Sequence, residues 1–172
     1  MKNLLVKTTI TLSAILLSSG VASAQPDAVK GTDANYIGGG AAAGITHSDA
    51  PGGDATFGGN IQGRFAVPNA PVSVRGAVLF SDDNSAIMPM VSYDIPVSSN
   101  ANLYVGGGYS FVEAEGVATP LGNRDSVVIS AGGEVQLGSN IVVYGDGKWG
   151  VDAYENSDGD AVSLQGGVGY RF

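Results

Sequence analysis

Few side chains in this chain could do chemistry, and most of them lie in acidic clusters. His47 is the only histidine and sits in Thr46-His47-Ser48-Asp49. A histidine with a hydroxyl and a carboxylate is the composition of a hydrolytic or acyl-transfer triad. Consecutive side chains of an extended segment point opposite ways, so this tetrapeptide is not itself a triad. A partner would have to come from another loop, such as Ser81 or Asp82, and without one His47 is a solvated loop residue. Asp152, Glu155, Asn156, Asp158 and Asp160 gather around Gly159, an oxygen density that suits loosely held calcium. The spacing misses the D-x-D/N-x-D/N-G calcium loop, and a solvated acidic face is the plainer account. Gly106-Gly107-Gly108 makes no phosphate loop, since no helix pattern follows it. No cofactor or metal site is expected from these patterns. A last set, Arg64, Arg75, Asp94, Glu134, Asp146, Lys148 and Arg171, is scattered through stretches of apolar and small residues.

The ends and the composition bound what could hold these residues in place. Lys2 and Lys7 precede and flank the apolar run Thr8 to Leu17, and Ala22-Ser23-Ala24 follows with small side chains. That is the plan of a signal peptide, expected over 1–24, with the exported domain over 25–172. The run is too short for a transmembrane helix, and nothing after it is longer. With no cysteine, an exported domain must be stable without disulfides, and thiol catalysis and thiolate metal sites are excluded. Setting aside Lys2 and Lys7 leaves 6 basic residues against 16 acidic ones, a formal charge of −10. Nucleic-acid binding needs a basic footprint and is not expected.

From Ala55 onward the apolar residues recur with period two, as in strands with one apolar face. Phe57, Ile61, Phe65 and Val67 oppose Asn60, Gln62 and Arg64. Val72, Val74, Val78 and Phe80 oppose Ser73 and Arg75, while Val127, Ile129, Val135 and Leu137 oppose Ser130, Glu134 and Gln136. Ile141, Val143, Trp149 and Val151 oppose Asp146 and Lys148. Val162, Leu164, Val168, Tyr170 and Phe172 oppose Ser163, Gln165 and Arg171. Less regular strands are expected over Ile87 to Ile95 and Asn102 to Val112. A Gly- and Ala-rich first strand near Asn35 to Thr46 gives no clear facing. Pro89 interrupts the fourth strand, where a bulge or an earlier loop boundary is expected.

Eight segments of about ten residues each match the length of a tilted membrane-crossing strand. Pro68 to Pro71, Pro96 to Ala101 and Gly138 to Asn140 read as short turns. The connections around 47–55, 81–86, 113–125 and 153–160 read as mostly longer, acidic loops. The expected fold is all-β: a single eight-stranded antiparallel up-and-down transmembrane β-barrel with both termini on the short-turn side. Apolar-face aromatics fall at strand ends. Phe65, Tyr93, Tyr170 and Phe172 lie toward the turns, and Phe57, Phe80, Tyr109, Phe111 and Trp149 toward the loops, as two aromatic girdles require. The scattered charges then point into a lumen that eight strands leave filled with side chains. There Arg64, Arg75, Lys148 and Arg171 can meet Asp94, Glu134 and Asp146, a nearly neutral structural network.

The final strand, Ala161-Val-Ser-Leu-Gln-Gly-Gly-Val-Gly-Tyr-Arg-Phe172, alternates apolar residues and ends in phenylalanine. With this strand and the eight-segment plan, the chain resembles the eight-stranded outer-membrane barrels of the OmpA/OmpX type. The resemblance implies a Gram-negative outer-membrane location reached through the periplasm. It also implies a C-terminal insertion signal, including Tyr170 and Phe172, that the outer-membrane insertion machinery reads. A monomer contacting membrane lipids and lipopolysaccharide is expected. So is a non-catalytic role in outer-membrane structure, integrity or surface interaction. The chain stops at Phe172, so no peptidoglycan-binding domain is expected, and the loops are shorter than those of adhesive members. The alternatives are a small porin-like channel, a lipid A-modifying enzyme built on His47, and a soluble β-sandwich. Asp82, Asp83, Glu113, Glu115 and Asp125 join the acidic segment in an outer rim that divalent ions could bridge to lipopolysaccharide phosphates.

Overall fold

Strands with such different faces can pair every edge by closing on themselves. A computed structural model describes residues 30–46 and 55–172. It contains β1 (Tyr36–Gly44), β2 (Phe57–Ala66), β3 (Val72–Phe80) and β4 (Ser85–Ser98). These are followed by β5 (Ala101–Val112), β6 (Ser126–Leu137), β7 (Ile141–Val151) and β8 (Ala161–Arg171). Each strand pairs antiparallel with its chain neighbours, and β1 pairs with β8 to close the barrel. The expected signal segment 1–24 and His47 lie outside the described residues.

The stagger follows from the register. Stepping across paired residues from Arg171 leads through Tyr36, Arg64, Arg75, Met90, Gly108, Val128 and Gly150. The circuit re-enters β8 at Ala161, ten residues from its start. Ten residues at ~3.3 Å against eight spacings of ~4.8 Å give a strand tilt of about 40°. At that tilt, strands of nine to fourteen residues reach across a bilayer core.

The outer wall is apolar throughout. Phe57, Phe65, Phe80, Tyr93, Tyr109, Phe111, Trp149, Tyr170 and Phe172 are all exposed, with Ile, Leu and Val between them. Phe65 meets Phe172 edge-on at 5.9 Å, and Tyr109 lies 4.9 Å from Phe111, between ring centroids. A water-facing surface of this kind would be unstable, whereas hydrocarbon solvates it. The first strand also resolves its facing: Tyr36 and Ala42 are buried, while Ile37 and Ala41 point outward.

Three details differ from the sequence expectation. Pro89 causes neither a bulge nor a boundary. It sits opposite Gly76 of β3, and pairing to β5 lapses at Met88 and Pro89 before resuming at Met90 in the same register. A missing N–H thus breaks the ladder locally without shifting it. The irregularity in β4 lies instead between Pro96 and Ser98, inside a strand that extends past the expected turn boundary at Pro96. The β3–β4 connection is only Ser81 to Asn84, as short as the turns of the opposite end.

Candidate functional site: the charged lumen

Inward positions divide the lumen into two regions. Toward the loops the filling is apolar: Leu79, Met88, Met90, Val128 and Ala42 pack with Leu121, Ala153 and Tyr154 from the loops. Leu121 is fully buried, which contributes about 1.5–3 kcal/mol to holding its loop over the barrel mouth. The β5–β6 and β7–β8 loops interlock. Asn123 N–H donates to Ala153 O at 2.9 Å, and Glu155 N–H to the Asn123 side-chain oxygen at 2.7 Å. Gly122 holds a φ of +91°, and any Cβ there would run into Ala153. The Asn84 amide ties this cap to β4 through Ala114 O (2.8 Å) and Val117 O (2.6 Å).

Toward the short turns the filling is ionic. Arg64 pairs with Asp94 at 2.8 Å and with Glu134 at 3.2 Å. Arg75 pairs with the same two carboxylates, at 3.1 and 3.0 Å. Arg75 also lies 3.6 Å from the centre of the Tyr104 ring, and its Nε donates to Ser92 at 2.8 Å. Ser73 donates to Asp94 through a short hydrogen bond. Higher up, Lys148 pairs with Asp146 at 2.7 Å, and Tyr104 donates to Asp146 at 2.6 Å. Tyr36 donates to Glu134 at 3.1 Å and stacks on Tyr144, with centroids 5.8 Å apart. Five strands supply the charges, so the network cross-links the barrel through its interior.

Of the seven charged residues expected in the lumen, the structure brings six together, three cations and three anions. Arg171 stands apart. It pairs with the well-exposed Asp33 at 3.0 Å and makes no ion pair with Asp94, Glu134 or Asp146. Its side chain reaches the rim, where it also donates to Gln136 at 2.9 Å. Removing Arg171 turns the nearly neutral sum into an exact balance, which burial in low dielectric favours.

Other lumen residues escaped the sequence reading. Tyr36, Tyr104 and Tyr144, which the sequence reading assigned to neither face, are buried. Their parity was the available signal: Tyr104 shares a face with Asn102, and Tyr144 with Asp146. The segment before β1 also enters the lumen. Thr32 O accepts from Asn102 at 2.7 Å, and Ala34 O accepts from Arg64 at 2.9 Å. An open vestibule of about 570 Å³ remains at this end, bordered by Lys30, Asp33, Asn35, Pro68 and Pro71. The Ser81 hydroxyl, named as a possible partner for His47, donates to Ala118 O at 2.9 Å.

An apolar outer wall between aromatic girdles, around a closed charged interior, defines a transmembrane β-barrel. Residues 13–172 match the outer membrane protein β-barrel domain, and the chain belongs to that family. Comparison with curated proteins found no match. Among solved structures, Neisserial surface protein A superposes with a TM-score of 0.57 at 16% identity, covering 80% of this chain and 97% of that one. Ail, the attachment invasion locus protein of Yersinia pestis, gives 0.55 at 16% identity, covering 82% and 100%. A de novo designed transmembrane β-barrel gives 0.56 at 12% identity, covering 82% and 98%. These likenesses are of fold, and the chain is an outer-membrane barrel.

Proposed function

We propose that this chain is a monomeric, non-catalytic structural protein of the outer membrane that carries a fixed loop cap on its outer face. The observation that carries this reading is the doubly filled lumen. One half is cross-linked by three cations and three anions, and the other is plugged by Leu121, Ala153 and Tyr154. A barrel filled in this way favours rigidity over passage. The buried carboxylates are engaged by Arg64, Arg75 and Lys148, which leaves them no role as acid or base toward a substrate. Asp82, Asp83, Glu113, Glu115, Asp158 and Asp160 lie on the loop side, where an acidic surface suits divalent-bridged contact with lipopolysaccharide. Tyr170 on the last strand and Phe172 directly after it, both exposed, are read as the insertion signal.

The test pairs two measurements on the folded protein. Planar bilayers containing the purified barrel should show no discrete conductance steps, and loss of the gene should sensitise cells to detergents. Regular single-channel steps from the unaltered barrel would replace this reading with a porin. An unchanged detergent threshold would remove the integrity role.

A further inference from the structure

The residues ahead of β1 cross the mouth of the barrel instead of leaving along its wall. β1 pairs with β2 and β8, and β5 stands four strands away in either direction. Thr32 nevertheless reaches β5. Its N–H donates to the Asn102 side-chain oxygen at 3.2 Å, and its carbonyl accepts from the Asn102 amide at 2.7 Å. The Thr32 hydroxyl donates to Gln136 of β6 at 2.9 Å. From β2, Arg64 Nη1 donates to the carbonyls of Thr32 and Ala34 at 3.2 and 2.9 Å. Asn102, Gln136 and Arg64 surround one mouth only in a closed barrel, so this segment can seat only once β1 has met β8.

The hold on the segment differs from that on the strands. No residue from Lys30 to Ala34 belongs to a strand, and Asn35 ties its end to the wall by accepting from Ala66 N–H at 2.8 Å and Phe172 N–H at 3.1 Å. Beyond that hinge the tethers run to side chains, which can let go without breaking a ladder, and such segments open at lower free energy than core strands. Ala34 is its one contribution to an apolar cluster of the lumen, with Tyr36, Val142 and Tyr144.

Release strands no buried charge. Arg64 keeps Nε on Ser73 at 2.9 Å and Nη2 on Asp94 at 2.8 Å, and the Asn102 amide keeps Glu134 at 3.1 Å. Arg64 Nη1 and the Asn102 oxygen would then face the vestibule that both residues already border. We infer that Lys30 to Ala34 form a latch over the short-turn mouth of the lumen, caught by Asn102 and Arg64 and hinged at Asn35, which opens and reseats while the barrel stays closed.

The experiment is amide hydrogen exchange by NMR on the full folded barrel in lipid nanodiscs. The Thr32 and Ala34 amides should exchange at least about tenfold more slowly than the exposed Ser139 amide, and faster than the strand amides of β6 and β7. Exchange as fast as Ser139 would show that the segment does not seat. Exchange as slow as the strands would show that it opens only with the barrel. Either result overturns the latch. Gly31→Ala tests the seat from the segment's side. Gly31 holds a φ of +69°, and a Cβ there would strike the Asn102 oxygen and Pro96. This variant should bring Thr32 and Ala34 to the exchange rate of Ser139 and leave β6 and β7 protected. Asn102→Leu should do the same from the side of the catch. Unchanged Thr32 and Ala34 exchange in Gly31→Ala, or strand protection lost together with theirs, would overturn the proposal.

Discussion

Replacing Arg75 by methionine probes whether the ionic lumen holds the barrel together. Arg75 makes ion pairs at 3.0 and 3.1 Å to Glu134 and Asp94, donates to Ser92 at 2.8 Å and covers the Tyr104 ring. In its absence Arg64 alone must serve two buried carboxylates, and the lumen carries one net negative charge. Removing one partner of a buried pair costs about 3–5 kcal/mol, most of it from the charge left behind. Adding Glu134→Gln restores neutrality, because Arg64 then faces Asp94 alone and Lys148 faces Asp146. The double variant should therefore be more stable than the sum of the singles predicts, with a coupling of about 2 kcal/mol or more. Arg171→Ala is the control. Its pair with Asp33 is solvent-exposed and should contribute less than about 1 kcal/mol. Equilibrium urea unfolding in lipid vesicles reads the unaltered barrel, both single variants, the double variant and the Arg171→Ala control. The single tryptophan, Trp149, sits on the lipid face as the fluorescence reporter, and the gel-mobility shift on boiling gives a second probe. An Arg75→Met barrel within 1 kcal/mol of the unaltered one would refute the reasoning. So would a double variant whose losses simply add, since that would show that the charges are not coupled through the lumen.

Further outcomes follow from other parts of the barrel. Leu121→Ala should destabilise by about 2–5 kcal/mol if the cap folds as one unit with the strands, and urea midpoints decide this. Leu121→Ser should admit water past the apolar layer and produce brief conductance events in planar bilayers that the unaltered barrel lacks. Ala131→Arg places a cation at the centre of β6 on the lipid face and should cost about 2–4 kcal/mol in vesicle unfolding. Phe172→Ala should lower the amount of assembled barrel in the outer membrane severalfold. Refolding of the same variant from urea into vesicles should stay near normal, because that route bypasses the insertion machinery.

The facing of the strands was legible in the sequence because a pleated strand alternates strictly and lipid tolerates no charge on its side. Thus Arg75 and Lys148 declared themselves by parity alone. Parity assigns a face but carries no height. Arg171 has the same facing as Arg64, and both stand in register with Tyr36. The strands are nevertheless tilted by about 40°, so a step across the sheet is also a step along the barrel axis. Only the ten-residue stagger, a property of all eight pairings together, separates the rim from the waist. The cap was illegible for a different reason. Leu121 and Ala153 lie in irregular loops, where no period marks an inward side chain, and their burial depends on Gly122 and Asn123 meeting a segment thirty residues away.

The inward tyrosines show how the two halves of the lumen become one structure. A barrel of eight strands is too wide for short side chains to meet across it, and ionic side chains alone would leave desolvated oxygen atoms. Tyr36, Tyr104 and Tyr144 resolve both demands, filling volume with their rings and donating with their hydroxyls to Glu134, Asp146 and Asn60. Glycine makes room for them: a Cβ at Gly167 would strike Tyr144, and one at Gly169 would strike Tyr36. The glycines of β8 are therefore the complement of bulky tyrosines on the two strands paired with it, β7 and β1. Loss of a tyrosine hydroxyl alone, as in Tyr104→Phe, removes a donor from Asp146 while keeping the ring over Arg75. Its cost should be limited to that of one charge-assisted hydrogen bond, about 1.5–3 kcal/mol. Tyr104→Ala should cost more, because the ring also shields Arg75. Equal losses for the two variants in vesicle unfolding would show that the ring has no structural share, and that the lumen is held by its ionic contacts alone.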